Sequence, residues 1–79
     1  MSPARYVRVR TMELSAQEMT ALLTYLIKHN QEHAGEITEL AERTQDLGKT
    51  DAYEHIMRGV ELLNESNKSL QAALSALGV

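Results

Sequence analysis

The sequence predicts an all-α fold, an antiparallel helical hairpin that dimerises into a four-helix bundle and carries an extended or short-strand N-terminal arm. Three observations predict it. Two long segments place apolar residues at steps of three and four, which collects them on one face of a helix. Each segment has its own start and stop signals. A connection of about three residues joins them, which forces neighbouring helices to run antiparallel.

The arm spans residues 1–14. Pro3 opposes an early helix start, and Val7-Arg8-Val9-Arg10 alternates with the period of a strand. Arg5, Arg8 and Arg10 lie in a stretch with no acidic residue before Glu13. Such an arm suits an acidic surface, on a protein partner or on the body of a neighbouring subunit.

The first helix is expected over residues 15–47. Ser15-Ala16-Gln17-Glu18 has the pattern of a capping box, with Leu14 and Met19 placed for a hydrophobic staple. Its apolar stripe runs through Met19, Leu22, Leu23, Leu26, Asn30, His33, Ile37, Leu40, Thr44 and Leu47. Gly48 is a suitable left-handed stop. The turn is expected at 48–50 and the second helix at 51–77, with Asp51 as its cap and Glu54 completing a second box. The second stripe is Ile56, Val60, Leu63, Asn67, Leu70, Leu74 and Leu77. Gly35 and Gly59 sit inside helices, at a cost of about 1 kcal/mol each against alanine. They are either tolerated or mark a close approach between backbones.

Two helices cannot cover stripes this wide. Leu22, Leu23, Ile27, Leu62 and Ala73 would remain half exposed, and pairing hairpins about a two-fold axis is the commonest remedy. Size points the same way. A chain of 79 residues buries only about 60% of its unfolded surface. Without cysteine it has no disulfide to compensate, which leaves a metal or a second copy.

Composition narrows the function. The chain has no Phe or Trp and three Tyr, a poor supply for an aromatic-lined small-molecule pocket. A net charge of −3 disfavours nucleic acid as the main partner. No apolar run approaches the roughly 20 residues of a membrane span, and no secretory leader is legible, so a cytoplasmic protein is expected. No Ser-His-Asp, Cys-His, P-loop or dinucleotide pattern occurs, and the expectation is a protein that is not an enzyme.

One cluster carries chemistry. His29-Asn30-Gln31-Glu32-His33, followed by Glu36, interrupts the leucines of the first stripe. His29 and His33 stand one turn apart on one face, a common two-ligand arrangement for Zn, Ni, Co or Cu. Glu32 and Glu36 are candidate ligands, or acceptors that hold an imidazole N–H. In an antiparallel hairpin, residue i lies level with roughly residue 98 − i. Asn30 then faces Asn67 or Lys68, and Asn30, His33 and Asn67 form a polar layer amid leucines. Such a layer can instead do nothing but fix register and oligomeric state, as one buried Asn does in coiled coils. His55 lies about 15 Å along the axis from His33, too far to share an ion within one hairpin. In a dimer whose first helices cross near residue 31, His29 meets His33 of the partner subunit. A crossing near residue 38 brings His33 to the partner's His55 instead.

His29-x-x-Glu32-His33 also matches the letters of an inverted zinc-protease signature. Two helices leave no room for the further carboxylate ligand and peptide cleft which that chemistry needs. The Glu-x-x-His of di-iron bundles is absent, because Leu26, Asn30 and Ala52 stand three before the histidines.

His29-Asn30-x-Glu32-His33-Ala34, followed by an acidic helix, a glycine turn and a helix with Glu65-Ser66-Asn67, resembles a short helical-hairpin domain of anaerobic bacteria and archaea. That domain has no characterised function, and it occurs alone or appended to a small nickel-binding protein. The resemblance covers roughly residues 20–77 and leaves out the arm. It implies a metal role for His29 and His33 and no reaction. Two function classes therefore stand side by side: a transition-metal binder, with Ni or Zn as the candidate cofactor, and an interaction module in which Asn30, His33 and Asn67 set register.

Overall fold

The chain enters its first helix through a closed capping box. In the computed structural model, which describes residues 14–78, the Glu18 backbone N–H donates to Ser15 Oγ at 3.0 Å. The Ser15 backbone N–H in turn donates to Glu18 Oε1 at 2.9 Å. These bonds satisfy N–H groups that a helix start would otherwise leave without partners. The expected arm, with its Val7–Arg10 strand and Arg5, Arg8 and Arg10, lies outside the described residues.

Helix α1 spans Ala16–Asp46 and helix α2 spans Thr50–Ala76, and they are the only elements among the described residues. They pack on each other as a hairpin. Neither is long and apolar enough to cross a membrane. The reversal between them is a Schellman turn. Gly48 takes φ +79° and donates to Gln45 O at 2.8 Å, while Lys49 N–H donates to Thr44 O at 3.1 Å. This turn is tight enough to change where α2 starts. Lys49 is the N-cap, with no side-chain cap bond, and Asp51 falls inside the first turn. The expected Asp51–Glu54 box is therefore corrected: Asp51 favours the helix start through its charge, not through a capping bond.

The helices meet along a strict three-four repeat. On α1 the seam residues are Thr20, Leu23, Ile27, Asn30, Ala34, Ile37, Ala41 and Thr44, with His29 and Thr38 half-buried beside them. On α2 they are Tyr53, Ile56, Val60, Leu63, Asn67, Leu70 and Leu74, continued by the C-cap Leu77, with Met57 half-buried beside them. One polar bond fixes the register. Asn30 Nδ2 donates to Asn67 Oδ1 at 3.0 Å, and Asn67 Nδ2 donates to the Ile27 carbonyl at 3.1 Å. Stepping away from this layer in opposite directions sets Ile27 level with Leu70, Ala34 with Leu63 and Ala41 with Ile56.

The stripe expected for α1 merged two faces. Met19, Leu22, Leu26, Leu40 and Leu47 are exposed, and so is His33, which does not join the Asn30–Asn67 layer. Ile27, expected to be half exposed, is buried together with Ala34, Ala41, Val60 and Asn67. The reason is steric. Small Ala34 and Ala41 let the α1 backbone approach the bulky α2 stripe, and the larger leucines then point about a quarter turn away. Neither Gly35 nor Gly59 is a point of close approach inside the hairpin, since a Cβ added at either would meet nothing within 4 Å.

Two measurements check this account. Asn67→Leu should cost about 1–3 kcal/mol in urea unfolding, because it strands the Asn30 amide, and adding Asn30→Leu should recover most of the loss. The Glu18 carboxyl lies below its ordinary value of 4.5, held there first by the Ser15 backbone N–H and then by the Ser15 hydroxyl. Its contribution is present above the ordinary value and fades as pH falls through the lowered one. In Ser15→Ala the Glu18 titration followed by NMR should move up toward that ordinary value.

Candidate metal centre

Near the middle of α1 the helical repeat stacks three rings. Tyr25, His29 and His33 are four apart, so each stands one turn above the last. The Tyr25 and His29 rings are stacked, with centroids 5.6 Å apart and planes 13° from parallel. His29 and His33 meet edge to face at 4.3 Å and 78°. Their Nε2 atoms come within 3.0 Å of each other. His33 Nδ1 lies 3.1 Å from Glu36 Oε1, one turn further on.

For neutral rings these contacts favour one set of tautomers. An ionised carboxylate only accepts, so the Glu36 contact requires the hydrogen of a neutral His33 on Nδ1. His33 Nε2 is then a lone pair, and His29 Nε2–H donates to it. A carboxylate behind one nitrogen and an accepting lone pair on the other is the arrangement that orients metal-binding imidazoles. Two nitrogens bound at about 2.1 Å to one ion stand roughly 3.0–3.4 Å apart, for angles between 90° and the tetrahedral value. The observed separation therefore suits a shared ion once His29 releases its Nε2 proton.

The other candidates are more dispersed. Glu32 is exposed and makes no hydrogen bond to either ring. Among the described residues no three His, Cys, Asp or Glu side chains come together as one chain's metal site. His29 is half-buried, whereas the His33 side chain is 51% exposed and Glu36 73%. His55 is exposed near the turn end of α2, away from both rings and from the asparagine layer. Asn30 and Asn67 are brought together by their mutual bond, on the seam rather than on the face that carries the histidines. Sequence reasoning missed Tyr25, although its i−4 relation to His29 was legible.

Along α1 the rings, with Glu32 and Glu36 beside them, stand between large apolar residues. Met19, Leu22 and Leu26 precede them and Leu40 and Leu47 follow, all exposed. At one end Leu14, Met19, Leu22, Leu26, Ala73 and Leu77 line a groove between the helices. The imidazoles therefore interrupt a second apolar stripe, distinct from the seam.

Residues 19–77 match the family model described as Domain of unknown function (DUF8180), and the chain belongs to that family. The matched span contains the histidine pair, Glu36 and both asparagines. No curated protein and no solved structure matches the chain.

The proton arrangement can be checked directly. Nitrogen NMR of the metal-free protein should find neutral His33 as the Nδ1–H tautomer. In Glu36→Ala the population should shift toward Nε2–H, as in most exposed histidines. Glu32→Ala should leave the His33 tautomer unchanged.

Proposed function

We propose that this family member is a small, cytoplasmic, non-enzymatic helical protein that binds a divalent transition metal (Ni, Zn or Co) through His29 and His33 where two copies meet. The observation that carries the reading is the 3.0 Å approach of the two Nε2 atoms, with Glu36 behind His33. Each chain supplies two imidazoles, half of a four-coordinate set. Two hairpins placed face to face supply four, and Glu36 and Glu32 provide carboxylates at the edge. Apolar neighbours support the reading further, because they exclude water and strengthen the bond between an ion and neutral imidazole. Nickel is the first ion to test, since the resemblance carried by His29–Ala34 implies an association with nickel-binding proteins.

A second reading has its own support in the Asn30–Asn67 layer. A buried amide pair fixes register, and a module built to present one defined surface to a protein partner needs that. In this reading the histidines are part of the surface and hold no ion.

Calorimetric titration with Ni²⁺ and Zn²⁺ separates the two. The wild-type chain should bind with a Kd tighter than about 10 μM, with two chains per ion, and His29→Ala/His33→Ala should weaken binding at least about a hundredfold, more than 2.7 kcal/mol. Binding weaker than that limit, or unchanged in the double variant, leaves the interaction module as the function.

A further inference from the structure

We infer that a second copy of this chain docks on the apolar flank of the hairpin, about a two-fold axis parallel to the helices, so that the α1 ridge of each copy fills the α2 groove of the other. The inference rests on the homodimer proposed above and specifies its face and symmetry; it does not require the metal.

The two flanks of the hairpin differ sharply. Counting every seventh residue, one flank of α1 carries Met19, Leu26, His33, Leu40 and Leu47, all exposed. The register set by Asn30 and Asn67 places Ala73, Ser66, Gly59 and Ala52 about two residues from level with Leu26, His33, Leu40 and Leu47, and the tilt of helical side chains toward the N-terminus of α1 leans the large residues toward them. The shared groove confirms at one end that Leu26 and Ala73 lie on the same face. These two rows hold no Asp, Glu, Lys or Arg; the next row of α1, which adds Leu22 and His29 to the surface, brings Glu36 and Arg43 at its edge. The opposite flank carries Thr24, Gln31, Thr38, Gln45, Asn64 and Gln71, mostly polar side chains, with half-buried Met57 as its one large apolar residue.

The surface is a ridge of large residues beside a trough of small ones, both with the same seven-residue spacing. A half turn about an axis parallel to the helices brings the ridge of one copy over the trough of the next. Leu40 then covers the partner's Gly59, Leu26 the partner's Ala73 and Leu47 the partner's Ala52. No other partner needs to be invoked for a surface that is its own complement. The area is also sufficient. Met19, Leu22, Leu26, Leu40 and Leu47 are 37, 49, 40, 60 and 77% exposed. Together they present on the order of 500 Å² of mostly apolar surface, and the rings and small residues bring each copy near the roughly 800 Å² of a standard interface.

Gly59 supplies an independent argument. It weakens the middle of α2, yet inside the hairpin a Cβ there would touch nothing. A large side chain from a second copy is what would need that space. Gly35 is equally open but stands on the outer, charged side of α1, away from the flank. In this arrangement the two copies of His33 occupy one central layer, flanked by Ser66 from each.

The chain has no cysteine, so introduced thiols report the arrangement cleanly. Leu40→Cys and Gly59→Cys chains, mixed and oxidised at micromolar concentration, should give mainly the crossed heterodimer, because only that pair approaches disulfide distance. Gly59→Leu should raise the dimer Kd about tenfold or more, while Gly35→Ala stays within about threefold of wild type, both with unchanged helical circular dichroism. A wild-type monomer at micromolar concentration overturns the inference. So does a dimer indifferent to Gly59→Leu, or a Leu26→Cys/Leu40→Cys mixture that crosslinks better, which would set α1 on α1. Crosslinking as expected without any Ni²⁺ or Zn²⁺ binding would sink the metal reading alone.

Discussion

Helix α1 carries two apolar stripes, and one partner helix can cover only one of them. That constraint organises the molecule. The three-four repeat through Leu23, Ile27, Ala34, Ile37 and Ala41 goes to α2, because its alanines permit close packing against Ile56, Val60 and Leu63. The repeat through Met19, Leu26, Leu40 and Leu47 stays exposed, although its side chains are larger. A hairpin whose buried apolar residues are Ile27, Ala34, Ala41 and Val60 has little hydrophobic stabilisation of its own. What it leaves uncovered is therefore as informative as what it covers.

The asparagine layer shows what such a thin seam gives up for definition. Asn30 and Asn67 occupy positions where leucines would add more burial. They spend those positions on one side-chain bond and one bond to the Ile27 carbonyl. A seam of small and aliphatic side chains tolerates sliding by a heptad, since most layers look alike after such a shift. Sliding α2 by seven residues would place Asn67 against apolar side chains and leave two amides unsatisfied. The layer thus fixes which large residues stand beside which small ones on the exposed flank. Leu40 lies beside Gly59 because Asn30 lies beside Asn67.

Much of this was legible in the residues. Steps of three and four gave two helices, Gly48 gave the reversal, and antiparallel geometry put Asn30 within a residue of Asn67. What failed was the division of α1 into faces. Met19, Leu23, Leu26 and Ile37 were read as one stripe, since hydropathy weighs leucine above alanine and cannot say which face a neighbour will choose. The alanines decide the matter through backbone approach, a property of the pair of helices that no single segment displays. His33 was misplaced for the same reason: it belongs to the leucine stripe, not to the asparagine layer. The cap of α2 failed differently, because the Schellman geometry after Leu47 uses up the residues that would have let Asp51 stand outside the helix.

The position of the histidines follows from the same division. Had His29 and His33 stood on the seam, burial would have demanded that every ring nitrogen find a partner within one chain. On the outer charged surface they would have been ordinary solvated side chains. They stand on the one face that is apolar yet uncovered, with leucines a turn or two away on either side and Glu36 engaging one nitrogen. Two Nε2 atoms 3.0 Å apart on such a face form a polar point that costs free energy when a second surface closes over it, unless something joins them. A shared proton joins them within one chain, and an ion would join them across two. The chemistry of this face is therefore tied to its assembly, and the same leucines that draw a partner onto it determine how dry the imidazoles become.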